Sequence, residues 1–355
     1  MKNIYLASAL TTSLLLVSCS NDDGTYKFEN SEPGAKAVIS ATIGDMTSAV
    51  ATRVSGTQWG VGDEIGISST DNYTTNYDQK NFLYRATSVD GAFQPADLDN
   101  SIWFLGANEF QITAYYPYSG AIGVPQGALA AITSSEFQTA EKQPKIDFLF
   151  AVGTASYENP AVELSFYHKM SRLQLQFVSQ TDASGSALIS DLGTLDCYAM
   201  NIVQTGTFDT AAGTAVADEQ NGDAVTDKNI YQQVTGGNGH KFSVILFPQP
   251  NTGKARVDVV MKNTDNPKGI YYKLPLPELQ LEAGKSHDYT VTAKLTNDNK
   301  ITLEISKGTV NDWIEIPGGI IDPTPGKVDT SVQGAEVEGW TDSESVPVVP
   351  TQGTN

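Results

Sequence analysis

The sequence is short of positive charge: 22 lysines and arginines stand against 41 aspartates and glutamates, a net charge of −19 over 355 residues. Lys/Arg clusters that would neutralise nucleic-acid phosphates are missing, as is any basic amphipathic stretch for an anionic membrane surface. Two cysteines and three histidines, none close together, leave little for a Cys/His metal site. Acidic loops such as Asp22-Asp23-Gly24 lack the spacing of an EF-hand. There is no Gly-x-Ser-x-Gly elbow to raise a nucleophile, no glycine-rich phosphate cradle before a helix, and no 3.6-residue apolar periodicity beyond about two turns. The expectation is a protein without catalysis, cofactor, metal or nucleic-acid partner. Apolar residues still make up 40% of the chain, enough for real cores.

What is present begins with a leader. Ile4 to Val17 is uncharged and largely apolar, the length of a signal-peptide core and too short to span a bilayer, which takes about 20 residues. It ends Leu16-Val17-Ser18-Cys19, which resembles a bacterial lipobox. Residues 1–18 are then the lipoprotein signal peptide, and Cys19 is the acylated N-terminus of an outer-membrane lipoprotein. More than one acyl chain on Cys19 would anchor it stably. Residues 19–35 are polar and acidic, a tether between lipid and folded body. The cluster after Cys19 resembles the surface-export signal of Bacteroidota lipoproteins. With Cys19 acylated, Cys197 has no disulfide partner and is expected as a small buried hydrophobe.

From Lys36 the period is two. Ala37, Ile39, Ala41 and Ile43 alternate with polar or exposed positions, and Phe110–Tyr116, Val257–Met261, Tyr289–Leu295 and Ile301–Ile305 repeat the pattern. Phe242 to Phe247 suits a strand buried on both faces. Gly, Asn, Asp and Pro clusters separate these runs, so the fold class is all-β, with sandwiches or barrels. Val162, Leu164 and Phe166 lie in opposite phase to Leu173, Leu175 and Phe177, which demands a bulge or break within Tyr167–Arg172. Pro160 and the length of the chain place a boundary at Asn159-Pro160, giving an N-terminal unit 36–159 and a C-terminal unit 160–316.

Residues 317–355 hold five prolines, one lysine and no arginine, too little for a core of their own. Val328–Val332 and Ala335–Val337 can each become a strand where another sheet supplies the edge.

Five local patterns together resemble the fimbrillin family of Bacteroidota. They are Trp59-Gly60-Val61-Gly62-Asp63-Glu64-Ile65-Gly66-Ile67, Ile112–Tyr118, Asp147-Phe148-Leu149-Phe150-Ala151, Phe166–Leu173 and Val310-Asn311-Asp312-Trp313, in that order behind the lipobox. The resemblance implies two transthyretin-like β-sandwich domains in tandem, surface export, and assembly with other fimbrial subunits into fimbriae. It implies cleavage by an extracellular arginine-specific protease, which frees the first strand so that a strand of the next subunit can fill the groove. Arg53 is the one Lys or Arg between Ala37 and Gln79, so the cut falls at Arg53–Val54 and the released strand carries Ala37, Ile39, Ala41 and Ile43. Val328, Thr330, Val332, Ala335 and Val337 are the candidate donor strand. A disordered extension, or the mark of a tip or accessory subunit, are the other readings of this tail.

Read for themselves, the motif residues are mainly structural. Trp59 is expected as a core plug, Asp63 as the cap of its turn, and His168 as a satisfied structural histidine because it shares parity with Leu164 and Phe166. His240 and His287 fall in turn regions and are expected in solvent. The resemblance implies the function of a fimbrial subunit or tip adhesin with a host or bacterial surface ligand. The alternative is a glycan-binding surface lipoprotein that does not polymerise, using Tyr115, Tyr116, Tyr118 and Trp103, although neighbouring Tyr115 and Tyr116 point to opposite faces of a strand.

Overall fold

The computed structural model describes residues 25–27, 33–44, 58–70, 79–105, 108–124, 127–219, 230–235, 240–264, 266–313, 333–334 and 336–337. Cys19, Arg53, Val54, Val328, Thr330, Val332 and Ala335 lie outside them. The first strands are β1 (Thr25–Lys27), β2 (Pro33–Lys36), β3 (Val38–Ile43), β4 (Glu64–Thr70), β5 (Phe82–Ala86), β6 (Ala92–Pro95), β7 (Trp103–Leu105), β8 (Glu109–Tyr116), β9 (Ala128–Ile132), β10 (Leu149–Ser156) and β11 (Ala161–His168). β12 (Ser171–Ser179), β13 (Thr194–Met200), β14 (Thr205–Asp209), β15 (Thr214–Ala217), β16 (Ile230–Thr235), β17 (His240–Leu246), β18 (Arg256–Lys262), β19 (Ile270–Pro275), β20 (Lys285–Leu295), β21 (Ile301–Ile305) and β22 (Thr309–Asp312) follow. β23 (Gln333–Gly334) and β24 (Glu336–Val337) belong to the tail.

The described chain forms two β-sandwich units in tandem. In the first, the strands run β10-β11-β3-β6-β5-β4-β8, and β8 pairs back onto β10, so the sandwich is closed along both edges into a ring. The alternating residues explain the closure, since each strand has one apolar face to bury. β11 is the clearest case: Val162, Leu164, Phe166 and His168 point in, and the residues between them point out. In the second unit, the sheets β17-β12-β20-β21-β23, with β22 on β20, and β16-β13-β18-β19-β24 enclose a core that includes Leu173, Leu175, Phe177, Val257, Val259 and Cys197. Cys197 is fully buried, as its expected role requires.

Because β11 belongs to the first ring, the boundary expected at Asn159-Pro160 falls inside the first unit. Pro160 serves as the entry to a strand, its carbonyl accepting from the amide of Val38 at 3.0 Å. The chain passes between units at Lys169–Met170, and this strand break is the phase change that the apolar pattern required.

The units are fused. β9, from the first half, pairs with β14, which pairs with β15. Tyr115, Ile146, Phe148 and Phe150 share a core with Met170, Phe208, Ile245, Phe247 and Trp313, and the rings of Phe148 and Phe208 stack at 4.6 Å. Gln138 acts as a substitute strand edge for β17: its carboxamide accepts from the Ile245 amide and donates to the Ile245 carbonyl, both at 2.9 Å.

Two histidines differ from their sequence reading. His240 opens β17 and is 5% exposed, and His287 lies in β20 at 3% exposed. The turns read around them end just before these residues, and the strands carry them inside.

Candidate functional site

The four residues of the expected first strand come together. Ala37, Ile39, Ala41 and Ile43 are all buried in the ring's core, while Val38 and Ser40 face outward. β3 runs parallel to β11 from Ala161↔Val38 to Phe166↔Ile43, and antiparallel to β6 over only Ile39↔Phe93 and Ser40↔Ala92. Beyond that short ladder, other groups take over. The Ala41 amide donates to the Gly91 carbonyl at 2.8 Å, and the Ala41 carbonyl accepts from the indole Nε1–H of Trp59 at 2.9 Å. Gly91 sits at φ +84°, and a Cβ there would lie 1.8 Å from the Ala41 oxygen, so only glycine lets the two backbones approach this closely.

Trp59 is 2% exposed and makes edge contacts with Phe93, Tyr116 and Phe166 at centroid distances of 5.0, 5.6 and 5.1 Å. It is the core plug read from the sequence, with a second role as a latch on β3 that the sequence does not reveal. Its turn is capped by Asp63, whose Oδ2 accepts from the Gly60 amide at 2.7 Å. Burial raises the Asp63 pKa, and that hydrogen bond offsets part of the rise.

The chain segment that carries Arg53 leaves the described structure after Gly44, at the end of β3, and returns at Gln58, beside Trp59. β2, directly before β3, pairs with β7. A cut within residues 45–57 therefore separates β2 and β3 together from everything that follows.

At that end of β3 a cleft of about 470 Å³ opens between the two units. Ile43, Trp59 and Tyr116 form its wall from the first unit, and Arg172, Ile245 and Trp313 from the second. His168 Nδ1–H donates to Asp147 Oδ1 at 2.8 Å, and the His168 ring stacks on Trp313 at 4.1 Å with the planes 5° apart. The Arg172 guanidinium lies 5.0 Å from the Trp313 ring centroid. His168 is thus satisfied structurally, while its stacking on Trp313 joins residues far apart in the chain and has no sequence signal. The Tyr116 hydroxyl is held well above its usual pKa by burial, then by the charges of Asp63 and Asp147.

Among the proposed glycan contacts, Tyr115 is buried and its hydroxyl donates to Asn81 Oδ1 and the Ser119 carbonyl. Tyr116 instead lines the cleft, so these two tyrosines do not form one platform. In the candidate donor strand, Val337 lies in β24, which pairs with Tyr272 and Lys273 of β19, while β23 pairs with Glu304 and Ile305 of β21. The edges that the tail uses here belong to its own second unit. Among the described residues no group of three or more His, Cys, Asp or Glu side chains is placed to hold a metal ion.

The model of a family described as fimbrillin-like matches residues 52–313. No curated protein matches the sequence. A candidate cell-adhesion protein of Bacteroides ovatus is similar in structure, with a TM-score of 0.64 and 27% identity over 81% of this chain and 100% of that one. One of Bacteroides uniformis shares the fold at a TM-score of 0.56, 20% identical over 79% of this chain and 98% of its own. The matched span runs from the Arg53 segment through both units to Trp313, and the chain belongs to the fimbrillin-like family.

Proposed function

We propose that the chain is a structural subunit or tip adhesin of a surface fimbria, exported as an outer-membrane lipoprotein through Cys19 and assembled by strand exchange after cleavage at Arg53–Val54. The observation that carries this reading is the place of β3: a core strand whose only covalent link to the rest of the ring is the segment that holds Arg53. Removing it would bare the backbone edges of β11 and β6, the Trp59 indole N–H and the apolar core around Phe93 and Phe166, a template for an incoming strand. Head-to-tail filling of that slot makes an open filament.

The slot also has a grammar. Read backward from Ile43, β3 offers Ile, Ala, Ile, Ala at alternate positions; Val328, Thr330 and Val332 of the candidate donor strand set β-branched side chains at the same spacing in forward order. A donor in this register runs opposite to β3, and so antiparallel to β11, the slightly more stable pairing, along the six-residue ladder, and parallel to β6 along the two-residue one. Cell-adhesion relatives and the absence of a nucleophile elbow support a non-enzymatic role.

The test incubates the chain with a dilute arginine-specific protease, locates the cut by intact mass, and reads assembly on unboiled gels. Cleavage after Arg53 with a ladder that vanishes on deleting 317–355 supports a tail-donating subunit. A clean cut without a ladder identifies a tip that accepts a strand and donates none. Resistance at Arg53 in a monomeric chain overturns the assembly reading.

A further inference from the structure

We propose that the cleft between the two units is a binding site for a neutral saccharide. Its volume of about 470 Å³ falls within the ~300–1,000 Å³ of small-ligand sites. Its lining mixes what a sugar ring needs. Tyr116 and the edges of the buried Trp59 and Trp313 supply aromatic surface for C–H packing, while Asp63, Asp147 and the Gln143 side-chain carbonyl accept hydrogen bonds and Arg172 donates them. Val61 and Val89 at the mouth are 70% and 45% exposed, so the entrance is open and apolar.

Charge selects the ligand class. A cationic ligand would compete with Arg172, which already occupies the Trp313 ring at 5.0 Å. An anion would meet the carboxylates of Asp63 and Asp147. A polyhydroxyl compound satisfies donors and acceptors together without adding charge. The buried indole Nε1–H of Trp313 has no hydrogen-bond partner among the described residues, although Trp313 lines the cleft at 5% exposure. Buried donors are normally paired, and an oxygen of a saccharide in the cleft is the partner assigned to this one.

This inference does not rest on strand exchange, because binding and assembly are read separately. The purified chain is screened on an array of neutral mono- to tetrasaccharides of glucose, galactose, mannose, fucose and N-acetylhexosamines, with oligolysine and sialylated glycans alongside. Hits are titrated by tryptophan fluorescence. The expected result is a neutral saccharide that shifts tryptophan emission and binds about tenfold or more weakly to Val61→Trp, which fills the mouth, and to Asp63→Asn, which keeps the turn's acceptor. Val61 is largely exposed, so an unchanged thermal melt separates blocked binding from misfolding. Failure of every neutral saccharide overturns the proposal. So does capture of only oligolysine or only sialylated glycans, or binding that survives both substitutions.

Discussion

The indole N–H of Trp59 donates to the carbonyl oxygen of Ala41 across 2.9 Å, joining the first residues after the Arg53 segment to the strand before it. The two residues flank the candidate cleavage segment, and after a cut this bond is one of the contacts that hold β3 in place. Replacing Trp59 by Phe keeps an aromatic plug and leaves the Ala41 oxygen unpaired. The expected loss is about 1–3 kcal/mol, the usual cost of a buried polar group without a partner. Chemical denaturation measures it, and hydrogen exchange at the amides of Val38, Ala41 and Gly44 reports whether β3 itself loosens. Unchanged exchange there would remove Trp59 from its role as a latch.

Gln138 gives a prediction about the joint between the units. Gln138→Leu leaves the buried N–H and C=O of Ile245 without their side-chain partners and also removes the bond to the Thr133 carbonyl at 2.9 Å. At roughly 1–3 kcal/mol for each of these three stranded groups, the variant loses about 3 kcal/mol or more in urea unfolding. A loss near zero would mean that the shared apolar core alone holds the junction.

His287 sets an acid limit on stability. Burial lowers its pKa below the ordinary histidine value, with Glu282 and Asp288 opposing the shift, and its Nε2 accepts from the Glu282 amide at 3.3 Å. The unfolded chain therefore takes up this proton first as pH falls. The stabilisation is full above about pH 6.5 and declines as pH drops toward and through the folded value. His240, whose pKa burial also lowers, acts in the same direction. Melting temperature followed from neutral to mildly acidic pH should fall, and His287→Gln should flatten part of that slope. An equal slope in the variant would assign the acid loss to other groups.

Thr330 tests the register proposed for strand exchange. Facing the slot that Ala41 occupies, it is the tightest fit of the series. Thr330→Ala should strengthen the protease-triggered ladder and Thr330→Ile should abolish it, since overfilling a packed site is costly. If neither changes the ladder, Val328–Val337 is not the donor in this frame.

The sequence by itself determined the all-β class, the inward set Ala37, Ile39, Ala41 and Ile43, the break before Ser171 and the burial of Trp59, Cys197 and His168. Each of these follows from local alternation or from the apolar character of one side chain, which neighbours along the chain already specify. Only the tertiary structure decided that β11 belongs to the first ring, because a strand's partners are chosen by backbone hydrogen bonds to β3 more than a hundred residues away. The same holds for the Trp59–Ala41 bond, the stack of Trp313 on His168, the Gln138 edge and the burial of His240 and His287. Those depend on distant elements meeting in space, and polar side chains carry no periodic signal of which backbone they will satisfy.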